Sequence, residues 1–285
     1  MKLMYSILLA TSMMATACNK SDDENAPTST QESISKDVSY GADVMQKMDI
    51  YLPANRSMNT TKVMVLIHGG GWTGGDKSEF DPYITKIRQT LPDYAFFNIN
   101  YRLANNTSNR FPTQENDVKA AIQFIADKLK DYNVSDNMVL LGFSAGAHLA
   151  LLQGYKYSSP MKTKAVVSFY GPTDLVDMYN NPVSQYAPLL LEALLSGTPQ
   201  TNINSYNQSS PTFFVNSNTP PTLILHGGLD NLVSHTQASI LQNKLQSSGV
   251  VNQYVFYPNE GHGWFGATLD DSFVKIQAFL AANVK

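Results

Sequence analysis

Cysteine is all but missing. Cys18 is the single one in 285 residues, so no intramolecular disulfide can hold the fold, and stability must come from a buried core. Charge is also thin. Charged residues make up 15 % of the chain and the formal net charge is −3; no basic cluster appears, so the electrostatic footprint of a nucleic-acid binder is absent. No internal repeat occurs. No glycine-rich stretch is followed by a Lys-Ser/Thr pair at the spacing of a phosphate-binding loop. No apolar run reaches the roughly 20 residues that a membrane-spanning helix needs. What remains, with 43 % hydrophobic residues, is an ordinary globular composition, long enough for one large α/β domain.

The beginning of the chain stands apart from that domain. Met1-Lys2 is a short basic start, residues 3–14 are mostly apolar, and Ala15-Thr16-Ala17 are small. That is the pattern of a secretory signal over residues 1–17. Cys18, placed directly after the small residues, resembles the lipidated cysteine of a bacterial lipoprotein, which implies a lipid anchor and a place in the cell envelope, periplasmic or at the cell surface. The polar stretch that follows, with Lys20-Ser21-Asp22-Asp23-Glu24, reads as a disordered tether over residues 18–37. Its acidic cluster resembles the surface-export signals of some lipoproteins.

From residue 38 onward the pattern alternates between strands and helices. Residues 63–67, 94–101, 137–141, 165–170 and 222–226 are short apolar runs, suited to strands buried on both faces. Residues 112–129 carry Val118, Ala121, Ile122, Ile125 and Leu129 at helical spacing. Helices are also expected at 78–91, 237–245 and 272–284, and a last strand at 250–256. This alternation predicts a mostly parallel sheet covered on both faces in one domain, 38–285. Residues 173–221 have poor periodicity and one apolar helical patch at 188–195, and read as a cap or lid.

Gly142-Phe143-Ser144-Ala145-Gly146 lies between an apolar strand and a run of helix formers. In that context Gly-x-Ser-x-Gly is a nucleophile elbow, a turn too tight for bulky neighbours that leaves the serine oxygen exposed above the sheet. A serine hydroxyl needs a base, and the base needs an orienting group. Of five histidines, His68 opens a glycine loop, His148 follows the elbow on its helix, His226 ends a strand and His235 begins a surface helix. His262 sits in the turn Gly261-His262-Gly263 after the last strand and is the expected base. Asp230, in the loop after the penultimate strand, is the expected acid, with Asp174 and Asp177 as competitors. The chain order Ser144, Asp230, His262 suits such a triad. His68-Gly69-Gly70-Gly71-Trp72 follows a central strand, so the amides of Gly70 and Gly71, with that of Ala145, form the expected oxyanion hole. Trp72 would supply either a further donor or, with Tyr186, a wall of the substrate pocket.

These segments, together with Asp49-Ile50-Tyr51-Leu52-Pro53, Asn100-Tyr101-Arg102-Leu103 and Tyr170-Gly171-Pro172, resemble the α/β-hydrolase superfamily. The likeness is to its hormone-sensitive-lipase-like and feruloyl-esterase-like bacterial carboxylesterases and runs from about residue 40 to the end. It implies an α/β-hydrolase fold with a short cap and a serine esterase acting through an acyl-enzyme. Expected substrates are short acyl or aromatic acyl esters, acetyl or feruloyl groups on plant polysaccharide among them. It implies no cofactor and no metal. Amide hydrolysis, as in formamidases or peptidases of this fold, and a catalytically silent binding protein are the alternatives. Residues 173–221 match nothing in detail, so the ester itself stays open.

Overall fold

The computed structural model describes residues 31–285 apart from Asn106; the expected signal segment, Cys18 and the greater part of the expected tether lie outside the described residues. Eight strands form one sheet: β1 Ser33–Ser39, β2 Lys47–Leu52, β3 Lys62–Ile67, β4 Tyr94–Ile99, β5 Asn137–Phe143, β6 Lys162–Phe169, β7 Thr222–Gly227 and β8 Asn252–Tyr257. Their spatial order is β1-β2-β4-β3-β5-β6-β7-β8. β1 and β2 run antiparallel to their neighbours, and every pairing from β4 to β8 is parallel.

Both faces of the sheet are covered, which is why its central strands read as unbroken apolar runs. Val63, Val65 and Ile67 point into one core, where α2 Thr113–Asp127, α4 Ala145–Lys156 and α8 Thr236–Ser247 supply Val118, Ile122, Leu149, Leu151 and Leu241. Met64 and Leu66 point into the other, against Ile84 and Ile87 of α1 Asp81–Thr90 and Phe273 and Ile276 of α9 Gly266–Asn283. A four-residue helix, α3 Leu129–Tyr132, follows α2, so Leu129 opens this turn rather than closing the expected helix. Pro82 falls in the first turn of α1, after the 3-10 turn Lys77–Phe80, where it removes no intrahelical hydrogen bond.

Two expectations are corrected. The tether expected up to residue 37 contains most of β1. That strand is a polar edge, mostly exposed, with no apolar alternation to reveal it. Backbone pairing recruits it, helped by the buried Asp49 of β2: Asp37 N donates to Asp49 Oδ1 at 2.9 Å and Lys36 Nζ to Oδ2 at 2.8 Å. The segment 173–221 is also more regular than its periodicity suggests. It holds α5 Leu175–Asn180, α6 Ala187–Leu195, α7 Pro199–Gln208 and the 3-10 turn Pro211–Phe214. α7 escapes a periodicity search because only Pro199 and Tyr206 in it are buried. Its start is set by a capping box between Thr198 and Thr201, a local signal independent of apolar spacing.

Candidate active site

The carboxyl ends of the parallel strands meet at one edge, and Ser144 stands there, directly after β5. Its backbone has φ 52° and ψ −118°, outside the regions that an L-residue adopts easily. The elbow is held by its neighbours: Ser144 N donates to Phe169 O at 2.9 Å. A Cβ on Gly142 would lie 2.3 Å from the carbonyl carbon of Gly146, and one on Gly146 would lie 2.1 Å from Ile67 O. Only glycine fits at either position, because the obstacles are backbone atoms.

His262 arrives from the turn after β8, and Asp230 from the loop after β7. His262 Nδ1 lies 2.7 Å from Asp230 Oδ2, and His262 Nε2 lies 2.9 Å from Ser144 Oγ. An ionised carboxylate only accepts, so Nδ1 carries the proton and Nε2 is left to accept from the serine hydroxyl. Asp230 is itself fixed. Its Oδ1 accepts from Leu232 N and Val233 N, each at 2.9 Å, and Oδ2 lies 3.1 Å from His226 Nε2. Burial pushes the Asp230 carboxyl up, but hydrogen bonds from His226 and His262, the charge of His262 and the Val233 amide outweigh it. The net result is a group held well below the ordinary carboxylate range. The competing aspartates are engaged elsewhere. Asp174 caps α5, accepting from Val176 N and Asp177 N, and Asp177 accepts from Gln237 Nε2.

The glycine loop faces this trio. Gly70, Gly71 and Trp72 all have positive φ, of 95°, 57° and 62°, which turns the loop back over Ser144. Thr73 N and Gly74 N both donate to Gly70 O. The amides of Gly70, Gly71 and Ala145 donate to no acceptor among the described residues, and all three residues line the cleft with Ser144. Donors left unpaired beside a nucleophile are what a developing oxyanion requires.

The Trp72 side chain lines the cleft, and its indole is engaged elsewhere. Its indole Nε1 donates to His148 Nδ1 at 3.2 Å, and His148 Nε2 lies 2.6 Å from Ser209 O, to which it donates. His148 is therefore a buried bridge from the glycine loop to the cap. His68 stacks on Tyr101 and its Nδ1 lies 2.9 Å from Gly69 O. His235 packs against Phe256, away from the cleft.

The cleft has a volume of about 460 Å³. On its cap side Met178, Ala187 and Leu190 oppose Trp72. Tyr186 stands at the mouth, 68 % exposed. Of the apolar patch at 188–195, Leu190 reaches the cleft; Leu189 faces solvent, and Leu191, Leu194 and Leu195 are core.

Two residues of the site carried no role in the sequence reading. Glu79 Oε2 accepts from Gly69 N at 3.1 Å and lines the cleft. It lies in a polar stretch with no motif to mark it. Tyr170, at φ 41° directly after β6, sets its ring 4.6 Å from that of His262. The Tyr-Gly-Pro sequence was the available signal, since a bulky residue before Gly-Pro at the end of a core strand must turn at the edge where Ser144 sits.

Residues 48–245 match the family model described as BD-FAE. The chain is similar to Esterase LipC of Mycobacterium tuberculosis (strain ATCC 25618 / H37Rv), with 26 % identity over 240 residues that cover 80 % of this chain and 59 % of that protein. Among solved structures it is similar to the bifunctional GH43-CE of Bacteroides eggerthii, with 27 % identity and a TM-score of 0.77 over 88 % of this chain and 38 % of that one. A truncated form of carbohydrate esterase from gut microbiota gives 24 % identity and a TM-score of 0.72 over 87 % of this chain and 98 % of that one. The chain thus spans little more than half of LipC and well under half of the bifunctional protein. The fold is that of the α/β-hydrolases.

Proposed function

The chain belongs to the BD-FAE family, and on that premise we propose that it is a serine carboxylesterase. Its substrates are short acyl or aromatic acyl esters, those borne by plant polysaccharide among them. The observation that carries this reading is the unbroken line from Ser144 Oγ through His262 to Asp230, at 2.9 and 2.7 Å, beneath unpaired loop amides. LipC, a relative along most of this chain, is named an esterase, which supports the ester-hydrolase part.

In this reading Ser144 Oγ attacks the ester carbonyl while His262 Nε2 takes the hydroxyl proton. The carbonyl oxygen becomes an oxyanion and meets the amides of Gly70, Gly71 and Ala145. The bond to the alcohol oxygen then breaks as His262 returns the proton to it, leaving an acyl group on Ser144. Water repeats the sequence and releases the acid. Asp230 holds His262 in the tautomer that can accept from Ser144 and offsets the imidazolium charge. The same proposal takes Cys18 as a lipid anchor in the cell envelope.

The test is a hydrolysis screen over acyl length, feruloyl esters and acetylated xylan, with folded Ser144→Ala protein as the control. Loss of about 10⁴-fold or more in kcat is expected for that variant. Wild-type turnover by Ser144→Ala, or no ester hydrolysed by the wild type, overturns the assignment.

A further inference from the structure

Asp230 accepts four hydrogen bonds, from Leu232 N and Val233 N at Oδ1 and from His262 Nδ1 and His226 Nε2 at Oδ2. The first three have a place in the proposed reaction; the last, at 3.1 Å, has none. We propose that His226 is a second positioning histidine of the triad, sharing Oδ2 with His262 and so limiting how strongly Asp230 draws a proton onto the base. The proposal rests on the esterase reading, whose base and acid it takes as given.

Placement is the first argument. His226 lies within β7, paired with Phe256 of β8, and is wholly buried. Asp230 follows four residues later, on a loop. The sheet therefore fixes the imidazole, and the aspartate is set against it. The two glycines between them let that loop close on the turn that carries His262. A Cβ on Gly227 would lie 2.3 Å from Gly261 O, and one on Gly228 would lie 2.6 Å from Pro258 O. Leu229 N donates to Glu260 O at 2.8 Å.

The position of the protons is the second. His226 Nε2 also faces Val233 O, at 3.0 Å. Both of its neighbours accept, so Nε2 carries the proton of the ring. Nδ1 is buried and has no partner among the described residues, so all the hydrogen bonding of this ring is directed at the loop of Asp230. An ionised carboxylate offers about four lone-pair sites, and His226 fills the last of them.

Electrostatics is the third. A donor on Oδ2 draws charge from the oxygen that faces His262. Burial pushes the Asp230 carboxyl up, and among the groups that bring it down the His226 bond comes ahead of that from His262. Without it, Oδ2 would hold Nδ1–H more tightly and favour the imidazolium, so the base would keep its proton to higher pH. The other titratable groups around His262 are Tyr170 from the end of β6, with its ring 4.6 Å away, and Glu79 across the cleft on the turn Lys77–Phe80. Its own turn adds Glu260, which accepts from Thr268.

The experiment removes this donor and then restores it. The kcat/KM of one p-nitrophenyl ester is followed against pH in wild type, His226→Leu and His226→Gln. Leucine fills the space without a donor. The glutamine NH₂ ends near the position of Nε2 and has two hydrogens, one for Asp230 and one for Val233 O. The acid limb should rise by about one pH unit in His226→Leu, part of the worth of one charge-assisted hydrogen bond, and return in His226→Gln. Activity lost on the acid side should be recovered on the alkaline side. An equal loss at every pH, unrestored by glutamine, would make His226 a strut of the loop and overturn the proposal. If His226→Leu does not fold, His226→Asn replaces it, since that amide ends near the position of Nδ1 and falls short of Asp230. A second readout needs no substrate. The proton between His262 Nδ1 and Asp230 gives a downfield NMR resonance, which should move further downfield in His226→Leu and back in His226→Gln. An unmoved resonance overturns the proposal whatever the kinetics. If the wild type cleaves no ester, the esterase reading fails, and this resonance still decides whether His226 acts on the pair.

Discussion

The bonds around Asp230 separate positioning from local capping among the aspartates. Both oxygens of Asp230 are occupied, one by backbone amides and the other by two histidines. Asp230→Asn keeps the shape but puts an NH₂ in competition with His262 Nδ1–H, favouring the wrong tautomer. A fall in kcat of about 10⁴-fold is expected. Asp174→Asn should cost little, since asparagine caps a helix as well as aspartate does. Steady-state kinetics on one ester distinguishes them, and the reverse order of effects would move the acid to the loop after β6. Buried histidines set a second expectation. Burial lowers His68 and His148 to about 4, whereas an unfolded histidine titrates near 6.5. Below about pH 6.5 the unfolded chain takes up protons that the folded one refuses. The stability these two groups contribute is full above that pH and is lost as pH falls toward 4, a change on the order of a few kcal/mol. Urea midpoints at pH 7 and 4.5 measure it, and equal midpoints would contradict it. At this scale the trio was legible from motif and chain order. Glu79 was not, because its role comes from where a loop places it, and Tyr170 was signalled only by the Tyr-Gly-Pro turn at the end of β6.

Elements differ in how openly their sequences declare them. The central strands were legible because burial on both faces forces unbroken apolar runs. β1 and α7 were hidden for the opposite reason: one is an exposed edge and the other buries only two residues. In the proposed reaction the helices of residues 173–221 bear on acyl selectivity. Leu190 of α6 lies across the cleft from the glycine loop, with its Cδ2 3.5 Å from where a Cβ on Gly71 would stand. Leu190→Ala should lengthen the acyl arm, and kcat/KM for a hexanoate ester relative to acetate should rise about tenfold, since one fitted methylene is worth roughly 1–3 kcal/mol. A series of p-nitrophenyl esters reads the ratio. No change would mean that acyl chains do not run beneath α6.

For the whole molecule, the proposed anchor predicts that the native protein sediments with membranes and that Cys18→Ser shifts it to a soluble pool. Fractionation of cells carrying each form is the measurement, and identical partition would remove the anchor. The register of β1 adds a direction to this. Ser33 pairs with Leu52, at the end of β2 beyond Tyr51, which pairs with Phe96. That end of the sheet is where β3 and β4 begin, with Lys62 opposite Tyr94. Ser144 stands at the other end, where the parallel strands finish, about six residues or roughly 20 Å away. The chain therefore enters the domain from behind. An anchor at Cys18 would therefore join the domain at the end of the sheet opposite Ser144, so the point of attachment and the mouth of the cleft lie at opposite ends of the strands.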